Sequence, residues 1–158
     1  MTALALILAL IAPSPATAPD VQPPENPARY RLMGINSFSD GMWLLEPASA
    51  LSDGDRVTYS RATVFARGAS THNGRPVAYV ISRAVMDCAA RTGSWGVVER
   101  HAETGEVWDR QTWPEMRPLG GGGDEQIYAA LCRGEWPATE EFFTEAEFLT
   151  EARARLAR

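Results

Sequence analysis

Two cysteines and two histidines have the strongest claim to chemistry in this 158-residue chain. Cys88 lies in "VMDCAARTGSW" and Cys132 in "IYAALCRGEW". A reactive thiol needs a CxxC partner or an adjacent base that lowers its pKa. No CxxC occurs, and His101 falls on a different expected strand from Cys88. The other reading, half of a disulfide, belongs to an oxidising compartment. His72 and His101 are too few for a zinc site, which takes three or four ligands, and no Cys/Asp cluster joins them at ligand spacing. "HAE" at 101–103 matches the H-x-E of zinc deaminases but lacks their P-C-x-x-C. His72, beside Asn73-Gly74, reads as a turn residue. "GGGGD" at 120–124 opens a helix, where backbone amides can hold an anion; a plain connector from sheet to helix is the alternative.

Composition removes further classes. All 15 basic residues are arginine, so Walker loops, Schiff-base lysines and Ser-x-x-Lys acylases are excluded. No G-x-S-x-G is present for a hydrolase elbow. A net charge of −5 opposes nonspecific nucleic-acid binding, which relies on clustered basic charge. A non-enzymatic chain without metal or cofactor is therefore expected. The hydrophobic share of 45% beside 22% charged residues is ordinary for a globular domain.

The elements that position these residues are mostly strands. Residues 3–12 form an unbroken apolar run, too short to span a bilayer and suited to a signal peptide. Cleavage after Ala18 or after Ala16 fits the small residues that follow, so residues 1–18 are expected to be a leader and no transmembrane anchor to remain. Residues 19–28 continue a proline-rich stretch and read as an extended tether. From residue 29, short β-type runs alternate with turn signals: 30–38, 42–46, 56–66, 77–90, 94–103 and 106–113. "SDG", "LSDGD", "THNGRP", "TG" and "TG" separate them, and no helical pattern intervenes. An antiparallel sheet of about six strands follows, in an α+β fold.

Strand parity divides residues 77–88. Val77, Tyr79, Ile81, Arg83, Val85 and Asp87 share one face, and Ala78, Val80, Ser82, Ala84, Met86 and Cys88 the other. The second set is small and apolar, which fits a helix packed close. That helix runs from Asp124, the expected N-cap, to Gly134, the expected stop. Ile127, Tyr128, Leu131 and Cys132 make one stripe, so Cys132 faces the surface that carries Cys88. A Cys88–Cys132 disulfide is expected, worth about 4 kcal/mol in the chain-entropy model. A second amphipathic helix is expected over 139–158, with Phe142, Leu149 and Leu156 recurring every seven residues. It either covers residual apolar surface or presents a face to a partner or membrane.

The order "GMWLLEPAS…VMDCAAR…IYAALC", with Asp87-Cys88, Trp113-Pro114 and Cys132 at its centre, resembles the surface-adhesin protein E-like domains of Gram-negative bacteria. The resemblance covers roughly residues 30–132 within an expected domain at 29–136, followed by the helical segment 137–158. It implies a six-stranded antiparallel sheet with a C-terminal helix tied to its concave face by one disulfide. It also implies an exported binding protein, sometimes an adhesin, but carries no ligand over; the partner expected here is an envelope or extracellular protein or a glycan, in the periplasm or at the cell surface. This chain lacks a lipoprotein cysteine after the leader and continues past Cys132. Candidate binding residues are Arg83, Asp87 and His101, as polar groups of the sheet, with Trp95 and Trp108 bracketing a hairpin. Core packing is the competing role for the tryptophans. Arg83, Asp87 and His101 would also serve a small-ligand binder or hydrolase using an open sheet face.

Overall fold

A computed structural model describes residues 28–36, 41–138 and 140–157. The expected leader, the tether up to residue 27 and the turn at 39–40 lie outside the described residues. In chain order the elements are β1 (Arg29–Asn36), β2 (Gly41–Asp53), β3 (Arg56–Phe65), β4 (Thr71–His72), β5 (Arg75–Pro76), β6 (Tyr79–Asp87), β7 (Thr92–His101), β8 (Val107–Trp113), β9 (Arg117–Pro118), α1 (Gly123–Arg133), β10 (Phe142–Thr144) and α2 (Glu145–Leu156).

The fold is α+β, as the strand and turn pattern predicts. Six long strands form an antiparallel meander, and two short ones complete an eight-stranded sheet in the order β10-β1-β2-β3-β6-β7-β8, with β9 paired to β7. The β4–β5 hairpin stands apart. Its turn residues Asn73 and Gly74 both have positive φ, the conformation that a two-residue hairpin turn requires.

The two helices take opposite faces, because strand alternation gives the sheet two apolar sides. Ile127, Tyr128 and Ala130 of α1 pack on Met33, Leu45, Tyr59, Ala84 and Met86. Phe148 and Ala152 of α2 pack on Tyr30, Leu32, Met42, Leu44, Ala62, Val64 and Tyr79. Within β6 the expected parity is observed: Ala84 and Met86 lie under α1, and Tyr79 faces α2. Ala78 departs from it and packs in the α2 cluster beside Tyr79, because regular strand alternation begins only at Tyr79. Cys88 and Cys132 are joined, with Cα atoms 5.6 Å apart and a sequence separation of 44. The disulfide fixes the C-terminal end of α1 to the end of β6.

Three local expectations are corrected. Gly122, not Asp124, occupies the cap position of α1, without a side-chain cap bond. Asp124 lies in the first turn, where its Oδ1 accepts a 2.6 Å hydrogen bond from Arg61 Nη1; a tertiary ion pair has overridden the local cap. The second helix begins at Glu145 rather than near 139, because Thr144 and Glu147 form a reciprocal capping box there. Phe142 belongs to β10, whose backbone satisfies the free edge of β1. β2 also runs on to Asp53, leaving a tight turn at Gly54-Asp55. Gly134 ends α1 in the left-handed conformation, as expected.

Candidate functional site

α1 covers only part of its face. Beyond its N-terminus the sheet is open, and a cleft of about 540 Å³ is floored by Thr63, Phe65, Val80 and Val98. Trp43, Trp95 and Trp113 line it, together with Arg61, Arg100 and His72.

Each tryptophan is held by a local device. Between Arg83↔Val97 and Val85↔Ser94 the β6–β7 register shifts, so Trp95 and Gly96 together oppose Ala84. Gly96 has φ +57°, and a Cβ there would stand 1.8 Å from the Arg83 carbonyl oxygen. Only glycine fits, and the bulge turns Trp95 onto the α1 face. The Arg61 guanidinium stacks 4.0 Å from the Trp95 ring centroid. Trp43 lies against the start of α1, where a Cβ at Gly123 would come within 2.6 Å of the indole. The glycine loop therefore permits close approach of helix and indole. Trp113 donates from Nε1 to Gln111 Oε1 at 3.1 Å. Trp95 and Trp113 remain 42% and 43% exposed, large apolar surfaces to leave in water.

The charges in this cleft are matched. Arg61 pairs with Asp124 at 2.6 Å, and Arg100 Nη1 donates to Asp109 Oδ2 at 2.5 Å. His72 Nε2 lies 3.7 Å from the same Asp109 oxygen. The β4–β5 hairpin carrying His72 is propped by Trp108. The β7–β8 register shifts between Arg100↔Asp109 and His101↔Val107, which leaves Trp108 unpaired in the bulge. Arg75 stacks 4.6 Å from the Trp108 ring and His72 lies 6.1 Å away.

A second cleft, of about 610 Å³, occupies the opposite face beside the start of α2. Its lining sets the charged side chains of Glu46, Arg83, Glu99, Arg110 and Glu145 beside Ile81 and Val97. The Tyr79 hydroxyl donates to Glu145 Oε1 at 2.8 Å. Burial, reinforced by that bond and the Glu145 charge, holds the Tyr79 pKa far above the ordinary tyrosine value. Burial also raises Tyr30 on this face and Tyr59 under α1.

The polar residues singled out from sequence do not converge. Arg83 lines the α2-side cleft. Asp87 stands four positions further along β6, about 13 Å away at ~3.3 Å per residue. It caps a turn, accepting from Ala90 N–H at 2.8 Å. His101 pairs with Tyr79 at the other end of β6. It is only 4% exposed and stacks on the Tyr79 ring with centroids 4.2 Å apart. Trp95 lies in the aromatic cleft, and Trp108 supports its wall. Sequence reasoning missed Arg61, Arg100, Trp43 and Trp113 as site residues. Their shared face follows from the register, Leu45↔Arg61, Thr63↔Val80, Val80↔Arg100 and Gly96↔Trp113.

Among the described residues no His/Cys/Asp/Glu group is arranged to hold a metal ion, and no helix is long and apolar enough to cross a membrane. No family model matches the chain, nor does any curated protein or solved structure.

Proposed function

We propose that this chain is an exported, non-enzymatic envelope protein that binds a macromolecular partner through the aromatic cleft. The observation that carries the reading is the pair of exposed indoles, Trp95 and Trp113, at the rim of a cleft whose arginines are held by carboxylates. Exposed, rigid aromatic side chains beside arginine are what binding hot spots are made of. Export is supported by the apolar run at 3–12 and by the Cys88–Cys132 bond, since disulfides persist in oxidising compartments. The resemblance to surface-adhesin protein E-like domains points the same way, towards an adhesin-like role in a bacterial periplasm or at the cell surface. The dispersal of Arg83, Asp87 and His101 supports binding over hydrolysis, because acid–base catalysis needs its groups within hydrogen-bond reach of one substrate.

The full chain, immobilised and exposed to envelope extract of the source cells, tests this. A reproducible envelope component retained by the native chain and lost from Trp95→Ala/Trp113→Ala is the expected result. Equal retention by both proteins, or none by either, would overturn it.

A further inference from the structure

We infer that the aromatic cleft takes an uncharged oligosaccharide chain; this rests on the binding role proposed above and names its ligand class. Four observations lead there. The first is shape. Trp95 and Trp113 line both the 540 Å³ cleft and a neighbouring one of about 240 Å³ that runs on past Pro114. The two hollows share these indoles, and the larger lies within the ~300–1,000 Å³ typical of small-ligand sites.

The second is charge. Arg61 is matched by Asp124, Arg100 by Asp109, and Arg117 by Glu115 at 2.7 Å. An anionic ligand meets no unbalanced positive charge, and the chain as a whole carries −5. The third is hydrogen bonding. The floor strands β3, β6 and β7 each have a neighbour on both sides, so their backbone groups are already engaged. A bound chain must therefore find its hydrogen-bond partners on side chains, and a buried polar group left without one costs about 1–3 kcal/mol. Sugar hydroxyls both donate and accept, and they suit the remaining guanidinium N–H groups and carboxylate lone pairs of the two ion pairs. The Arg61 and Arg100 side chains are only 9% and 13% exposed, so these groups are already oriented.

The fourth is stacking. An indole presents two faces, and Arg61 occupies one face of Trp95. The C–H face of a pyranose ring is apolar and flat, and it suits the other.

Titrating the tryptophan emission of the full chain with chitohexaose, cellohexaose, hexagalacturonate and decaproline tests the inference. At least one neutral hexasaccharide is expected to give a saturable change, about tenfold tighter than hexagalacturonate, the equivalent of about 1.4 kcal/mol. The affinity should fall about tenfold in Trp113→Ala and in Trp95→Ala, both checked for native circular dichroism, and stay unchanged in Arg83→Ala on the opposite face. Isothermal calorimetry supplies the same constants where an indole has been removed. The inference is overturned if neither neutral sugar saturates, if both tryptophan variants bind like the native chain, or if hexagalacturonate or decaproline binds more tightly. Retention of an envelope component that depends on Trp95 and Trp113 after such a failure would sink the sugar and leave the binding role standing.

Discussion

The two faces of the sheet hold their helices by different means. α1 is fixed by the Cys88–Cys132 bond at its C-terminal end and by the Arg61–Asp124 pair at its start. α2 has no covalent tie and is held by Phe148 and Ala152, both fully buried, by its capping box, and by the Tyr79–Glu145 hydrogen bond. A staple lets a helix hold its place without covering its whole face, and the uncovered half of the α1 side is the aromatic cleft. α2 relies on packing without a staple, and the part of its face left open carries charged side chains beside Ile81 and Val97. The difference in attachment thus goes with a difference in what each open quadrant offers a ligand.

The comparison breaks most sharply through the cores of the two faces. Phe148→Ala removes the largest fully buried side chain of α2 and is expected to cost about 3–5 kcal/mol, read as a urea midpoint below that of the native chain whether or not both are reduced. Cys88→Ala/Cys132→Ala should cost about 2–5 kcal/mol, and reductant should reproduce that loss in the native chain. Hydrogen exchange in the double variant should rise in α1 before it rises in α2. If reductant leaves the native midpoint unmoved, the staple does not hold the α1 face. Gly96→Ala should cost about 1–3 kcal/mol, since the added Cβ meets the Arg83 carbonyl, and should redden or blunt the Trp95 emission. Unchanged stability and emission would contradict the bulge as the device that aims Trp95.

The smallest effect is seen only in alkali. Tyr79, Tyr30 and Tyr59 keep their protons in the fold beyond the ordinary tyrosine range, mainly through burial. The unfolded chain ionises them near pH ~10, so the stability they confer is complete below that pH and is lost as pH rises above it. The tyrosinate absorbance that Tyr79→Phe removes should therefore appear together with unfolding, and Tyr79→Phe should flatten the decline. Ionisation of that component well ahead of unfolding in the native chain would show that α2 does not bury Tyr79.

Much of the scaffold was legible because its signals are local. Turn residues between β-type runs mark the six long strands, β6 parity and α1 periodicity bring Cys88 to Cys132, and Gly134 marks a helix end. The β10–α2 junction was misread because Phe142, Leu149 and Leu156 imitate one helical stripe. The Thr144-x-x-Glu147 capping box carried the true start and is visible in the sequence. The site was far less legible. Arg61, Arg100, Trp43 and Trp113 meet only through long-range register, and the β7 bulge that aims Trp95 depends on a carbonyl from β6. Arg83, Asp87 and His101 were picked out as polar strand residues, but strand spacing and burial keep them apart.

The most direct measurement compares the two open quadrants against the same envelope component. Its dissociation constant should weaken at least about tenfold for Trp95→Ala/Trp113→Ala and stay within about twofold for Arg83→Ala/Arg110→Ala. The reverse pattern would move the binding site to the α2 side and contradict the aromatic cleft as the functional surface.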